Sequence, residues 1–139
     1  MGSERTLAII KPDAFGSGRA GKIVAHLESE GFRLVAARTV RLNQEGAEAF
    51  YAVHRGKPFF ASLVDFMTSG TVLTLALERK DAVARLREVI GATDPAEAAP
   101  GTIRALYAES KERNAIHASD SLDNARAEIA FFFAGVELA

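Results

Sequence analysis

Residues 43–70 read NQEGAEAFYAVHRGKPFFASLVDFMTSG. Asn43 is a good helix cap, and the pattern after it, carrying Phe50, Tyr51 and the nearby His54, predicts a helix to about Ala52. Gly56-Lys57-Pro58 marks a turn. Phe59-Phe60 then opens a second helical pattern, with Leu63, Val64 and Met67 on its buried side, that stops at Ser69-Gly70. Adjacent residues on a helix point about 100° apart, so the two phenylalanines cannot share one direction. Either both rings find core on different sides, or Phe59 at the first turn stays exposed, where an aromatic face can stack on a planar ligand. Two helices in succession, with no strand between them, decide what the flanking strands can build.

Upstream, Thr6-Leu7-Ala8-Ile9-Ile10 is a nearly continuous apolar run suited to a strand buried on both faces, broken by Lys11-Pro12-Asp13. A helix is predicted from Ala20 to Glu30 with Ile23, Val24 and Leu27 inward, stopped by Gly31. From Phe32 to Leu42 the sequence alternates, placing Phe32, Leu34, Ala36, Val40 and Leu42 on one face, with Arg38 the exception. Downstream, Val72–Leu77 reads as a strand, and Asp81 is expected to cap a helix with Val83, Leu86, Val89 and Ile90 inward. A loop from Ala92 to Gly101 and a short helix from Thr102 follow. Ala115-Ile116 reads as a brief strand, and Ser121 caps a last helix striped by Leu122, Ala125, Ile129, Phe132 and Phe133.

With residues 43–70 set aside as an insertion, the order is βαββαβ plus a closing helix. That is an α+β, ferredoxin-like arrangement: an antiparallel sheet with helices packed on it, an inserted helix pair and a C-terminal helix. A doubly wound fold needs regular strand–helix alternation, which this order lacks. At 139 residues, one domain over 1–139 is expected, long enough for a substantial core. Lys+Arg 17 against Asp+Glu 18 argues against nucleic-acid binding through bulk charge, while leaving room for a local basic pocket. There is no cysteine, hence no disulfide, thiolate chemistry or cysteine-based zinc site. Neither a hydrophobic signal core at the N-terminus nor a membrane-length apolar run is visible, and a cytoplasmic protein without membrane association is expected.

Gly16-Ser17-Gly18-Arg19-Ala20-Gly21-Lys22 imitates two phosphate-binding motifs. As a P-loop it lacks the hydroxyl needed after the lysine, where Ile23 stands. As a dinucleotide fingerprint it comes too late after the strand, and Val40-Arg41-Leu42 offers no acidic residue for a ribose. A turn leading into a helix is the expected role.

Lys11, Arg87, Thr93, Arg104, Asn114 and His117 all fall near element ends or loop margins, where ligand-binding groups are displayed. Taken singly, each has an ordinary reading: Lys11 a solvated strand end, Arg87 a surface cation, His117 a hydrogen-bonded histidine closing a strand. Taken together, three cations suit a polyphosphate, and Tyr51 and Phe59 suit the walls of the same pocket. A neutral imidazole facing a terminal phosphate points to phosphoryl transfer through a phosphohistidine, with Ser119 and Glu128 the candidates to orient the ring. Magnesium would arrive with the nucleotide, held mainly by phosphate oxygens and water.

Asn114-Ala115-Ile116-His117-Ala118-Ser119-Asp120 resembles the active-site signature of the nucleoside diphosphate kinases, and Ile10-Lys11-Pro12-Asp13-Ala14 resembles that family's N-terminal motif. Pro58-Phe59-Phe60, Phe66-Met67-Thr68-Ser69-Gly70, Gly91-Ala92-Thr93-Asp94-Pro95 and Pro100-Gly101-Thr102-Ile103-Arg104 are similar to further family segments, in family order, from Glu4 to Phe133. The resemblance implies a ferredoxin-like fold and transfer of the γ-phosphate of a nucleoside triphosphate, typically ATP, to a nucleoside diphosphate. It implies a ping-pong cycle with His117 as nucleophile. Lys11, Arg87, Thr93, Arg104 and Asn114 would hold phosphates and ribose, Phe59 would stack on the base with Leu63 beside the substrate, Tyr51 would support the lysine side, and Ser119 and Glu128 the histidine. It also implies Mg2+ carried with the nucleotide and a homo-oligomer, a tetramer favoured over a hexamer by the short stretch after Phe133. Three positions depart from the commonest family pattern: Ala118 in place of a frequent glycine, Leu106 where aspartate is usual, and Thr71 after Gly70 where proline is common.

Overall fold

The computed structural model describes residues 3–139; Met1 and Gly2, part of the N-terminus searched for a signal core, lie outside it. Four strands, β1 (Glu4–Ile10), β2 (Arg33–Val40), β3 (Val72–Arg79) and β4 (Ile116–Ala118), form one sheet in the order β2-β3-β1-β4, every neighbour antiparallel. This is the ferredoxin-like order expected from βαββαβ, with β1 and β3 central. Their alternation sends Ala8, Ile10, Leu75 and Leu77 to one face and Leu7, Ile9, Val72 and Ala76 to the other, which is why both strands read as unbroken apolar runs.

Each face has its own cover. On one side Ile23 and Leu27 of α2 (Ala20–Ser29), Leu86 and Ile90 of α5 (Ala82–Ile90) and Ile103 of α6 (Ile103–Tyr107) complete a core with Ala14 of α1 (Pro12–Gly16). On the other, Ala47 of α3 (Gln44–Phe50), Val64 and Met67 of α4 (Phe60–Met67), and Ile129 and Phe132 of α7 (Leu122–Phe132) do the same. The inserted pair α3–α4 and the closing helix α7 therefore protect the face that a bare βαββαβ unit leaves open.

Caps explain most of the boundaries. Asn43 accepts a hydrogen bond from the Gly46 N–H, Thr102 from Ala105 and Ser121 from Asn124. Asp81 differs from expectation: it sits in the left-handed region at φ 53° and makes no side-chain cap. The start of α5 is served instead from β1, where Glu4 Oε1 accepts from the Val83 N–H at 3.4 Å. The one-face reading of 32–42 is also corrected. A register shift between Leu34 and Ala36 turns the strand over, so Phe32 and Leu34 pack in one core while Ala36, Val40 and Leu42 pack in the other. α3 ends at Phe50, and the short fourth strand is Ile116–Ala118, with His117 at its centre. No helix among the described residues is long and apolar enough to cross a membrane.

Candidate active site

Lys11 directly follows β1, and His117 lies on β4 paired with Ile9, two residues before the lysine. Antiparallel pairing thus sets the lysine beside the start of β4. The Lys11 N–H donates to Ala115 O at 2.8 Å, and Lys11 Nζ donates to Asn114 Oδ1 at 2.9 Å. Asn114 is only 3% exposed; its amide donates to Lys111 O at 2.9 Å and to Thr93 O at 3.4 Å, which draws the loop after α5 towards the lysine.

Between Asn114 and His117 the backbone makes a tight three-residue turn. Ile116 N–H donates to Asn114 O at 2.9 Å, and Ala115 is held at φ 74°. A residue with a Cβ loses about 1–2 kcal/mol in that region. The turn persists because its neighbours fix nearly every polar atom of it. Arg104 spends three arms of its guanidinium on carbonyls: Nε to Asn114 O at 3.4 Å, Nη1 to Gly91 O at 3.1 Å and Nη2 to Ile116 O at 2.7 Å. Asp13 Oδ2 accepts from the Ala115 N–H at 3.1 Å. Arg104 is 6% exposed and Asp13 5%, so these contacts are made away from bulk water.

His117 is oriented from behind. Its Nε2 lies 2.8 Å from Glu128 Oε1 on α7, and Ser119 Oγ donates to the same oxygen at 2.8 Å. The Leu7 N–H donates in turn to Ser119 Oγ at 3.4 Å. A carboxylate only accepts, so the proton of a neutral His117 resides on Nε2 and the lone pair on Nδ1. Phe50 and Tyr51 meet the imidazole edge-on, with ring centroids 5.5 and 6.1 Å away.

These groups converge on a cavity of about 660 Å³, of the size that takes a nucleotide. Lys11, Tyr51, Phe59, Leu63, Arg87, Thr93, Arg104, Asn114, His117 and Glu128 all line it; Ser119 stands behind, fully buried. Phe59 is 46% exposed at the mouth, whereas Phe60 turns inward against the α3–α4 core. Arg87 donates to Ala118 O at 3.2 Å, so it bends over the end of β4. Tyr51 lies on the histidine side: it makes no hydrogen bond to Lys11, and its hydroxyl is buried without a partner. Burial and the nearby Glu128 push that phenol up, so it stays a donor. Ala118 packs in the core with Ala8, Ile116 and Leu86, so its methyl is absorbed by the α5 side of the sheet.

Sequence reasoning missed His54, which lines the same cavity between Tyr51 and Phe59, with centroids 6.3 and 5.2 Å away. Its position three residues after Tyr51 and five before Phe59 was the available signal. Burial, then Lys57 and His117, lower its pKa. Asp13 was also missed, because nothing in Lys11-Pro12-Asp13 shows that its carboxylate reaches residue 115.

The electrostatics suit an anion. Among the described residues, Lys11, Arg87 and Arg104 form no salt bridge with a carboxylate. Burial first, then Arg104, bring Lys11 down to about 8; burial first, then Arg87, bring Arg104 down to about 10. Each cation weakens the next, a repulsion that a polyphosphate would relieve. Among the described residues no group of three or more histidine or carboxylate side chains is placed to hold a metal ion. The glycine-rich stretch 16–22 contributes nothing to the cavity lining.

A strand-borne histidine among cations without carboxylate partners, two of them buried, with an aromatic at the mouth, defines a phosphotransferase site of nucleotide size. Comparison with known proteins agrees. A model of the nucleoside diphosphate kinase family matches residues 4–138. The chain is 57% identical over 139 residues to the nucleoside diphosphate kinase of Sorangium cellulosum, covering 100% of this chain and 96% of that one. It is 56% identical over 138 residues to that of Acidiphilium cryptum, with 99% of each covered. Among solved structures, the Aquifex aeolicus nucleoside diphosphate kinase superposes with a TM-score of 0.97 at 49% identity, over 99% of this chain and 100% of that one. A halophilic nucleoside diphosphate kinase from Halobacterium salinarum, solved in complex with CDP, gives 0.94 at 43% identity, over 99% and 92%. The chain belongs to the nucleoside diphosphate kinase family, enzymes that pass a phosphate between nucleotides by a ping-pong cycle through a phosphohistidine.

Proposed function

We propose that His117 Nδ1 carries the phosphoryl group in this chain, and that a magnesium-bound nucleoside triphosphate is the donor. The observation that carries the reading is the commitment of Nε2 to Glu128, which leaves Nδ1 as the nucleophilic nitrogen in a cavity that Lys11, Arg87 and Arg104 line without carboxylate partners. In the first half-reaction the Nδ1 lone pair attacks the γ-phosphorus in line. The bond to the β,γ-bridging oxygen breaks, and the nucleoside diphosphate leaves with that electron pair. Lys11, Arg87 and Arg104 balance the charge that builds on the phosphates, while Glu128 steadies the imidazole as it becomes positive. In the second half-reaction a terminal oxygen of another nucleoside diphosphate attacks the phosphorus, the P–N bond breaks, and His117 is restored.

Phe59 would stack on the base with Leu63 beside it, and stacking without edge contacts tolerates any base. Thr93 and Asn114 would position phosphate and ribose, and Tyr51 would brace the imidazole of His117 through its edge-on contact. Magnesium belongs to the substrate, bound by its phosphates. We further propose that 1–139 acts as one domain in a cytoplasmic homo-oligomer, a tetramer in preference to a hexamer; light scattering after size exclusion tests the assembly.

The direct experiment incubates the protein with γ-labelled ATP and magnesium in the absence of an acceptor. Acid-labile label should appear on the protein, be discharged by added GDP and be missing from His117→Ala. Label that never forms, or that persists in His117→Ala, overturns the reading.

A further inference from the structure

Asp13 lies outside the cavity lining and touches no group proposed to meet substrate, yet it is among the most buried carboxylates of the chain, 5% exposed. One oxygen, Oδ2, accepts from the Ala115 N–H at 3.1 Å; the other, Oδ1, is buried with no hydrogen-bond partner. A half-satisfied buried carboxylate is unfavourable unless something else holds it there. Two features of its surroundings account for it. Ala115 occupies the left-handed region without being glycine, and its N–H has no other acceptor in the turn. Lys11, two residues before Asp13, is buried beside Arg104 with no carboxylate paired to it.

Residues 11–13 and 114–116 are joined by three bonds in sequence. Lys11 N–H reaches Ala115 O, Ala115 N–H reaches Asp13 Oδ2, and Lys11 Nζ reaches Asn114 Oδ1. From this geometry we infer that Asp13 is a positioning residue for phosphoryl transfer: through the Ala115 N–H it fixes the turn that sets Asn114 and His117 against Lys11, and it is the buried carboxylate built into the lysine's own segment. The inference rests on the reading of Lys11 and His117 given above.

The charged groups facing Lys11 come from three elements: Arg104 on α6, Asp13 on α1 and Glu112 in the loop before β4. Burial and Arg104 lower the lysine to about 8, and Asp13 and Glu112 oppose them. Neutralising Asp13 therefore lets Lys11 lose its proton at a lower pH, and the phosphate site weakens earlier as pH rises.

Asp13→Asn keeps the shape and a carbonyl able to accept from Ala115, but removes the charge; Asp13→Ala removes both. The measurement is single-turnover discharge of labelled enzyme by ADP, from neutral to alkaline pH, with thermal melts alongside. For Asp13→Asn the alkaline fall should begin at a pH lower by roughly half a unit or more, with the neutral-pH rate largely kept. For Asp13→Ala the same displacement should be joined by a loss of about tenfold at every pH. If Asp13→Ala does not fold, the Asn variant alone decides. An Asp13→Asn profile superimposable on the wild type, or a uniform loss without displacement, overturns the inference. Label retained by His117→Ala would sink the parent reading instead; a labelled wild type, a blank His117→Ala and an unmoved Asp13→Asn profile would sink this inference alone.

Discussion

Two turns beside the same sheet show opposite relations between sequence and use. The stretch 16–21, which runs from the end of α1 through a turn into α2, is rich in glycine and looks built for a phosphate. Yet an added Cβ at Gly16, Gly18 or Gly21 would meet nothing within 4 Å, so these glycines clear no space for a ligand. The turn at 114–116 contains no glycine, and its Ala115-Ile116 reads in the sequence as a brief strand rather than a turn. It nonetheless holds Ala115 at φ 74° by contacts from Asp13, Lys11 and Arg104, and it carries Asn114 and His117 into the cavity. A backbone conformation that is cheap by composition needs no partners. One that is strained persists only where surrounding groups over-determine it, and such places tend to be functional.

The sharpest way to break this contrast is to exchange a glycine that matters for one that does not. Gly91 sits at φ 88°, and a Cβ there would lie 2.5 Å from Thr102 Oγ1; its carbonyl also receives Arg104. Gly91→Ala should lose about 3 kcal/mol of stability, read from denaturant unfolding, and with it the Arg104 clamp. Next in size, Glu128→Gln should slow phosphoryl transfer by about tenfold to a hundredfold with the fold intact, since His117 Nε2 loses a charged partner. Single-turnover rates and a melt separate the two effects.

A subtler effect is a proton. Lys11 is held down to about 8, and a bound polyphosphate restores the preference for its charged form. ADP binding near that pH should therefore take up a fraction of a proton, and the uptake should fade towards neutral pH where Lys11 is already charged. Calorimetry in buffers of different ionisation enthalpy measures it; buffer-independent heats would contradict the account of the cation cluster. The smallest effects belong to the decoy. Gly21→Ala, inside α2, should stabilise by up to about 1 kcal/mol, and Lys22→Ala should leave transfer unchanged.

How much could be read from the chain follows the same division. β1 and β3 were legible because burial on both faces leaves a continuous apolar run, and α3, α6 and α7 because their caps are local. The reversal within β2 was not, since a register shift between Leu34 and Ala36 depends on the partner strand. Nor was the use of Glu4 at the start of α5, a contact spanning 79 positions. In the site, Lys11, Arg87, Arg104, Asn114 and His117 stood out as polar residues at element ends, and the family resemblance gave them roles. Asp13 and His54 stayed hidden: one acts across 102 positions on a backbone N–H, and the other shows in the sequence only as a neighbour of Tyr51. Long-range pairing is the part of the physics that a single sequence does not display.

The central claim is that Glu128 commits Nε2 and so makes Nδ1 the carrier. Nitrogen and phosphorus NMR of the protein, labelled with nitrogen-15 in histidine and phosphorylated by ATP and magnesium, reads the site of attachment directly. The account predicts phosphorus bonded to Nδ1 of His117, with the proton remaining on Nε2. Phosphorus on Nε2, or on any other residue, would contradict it.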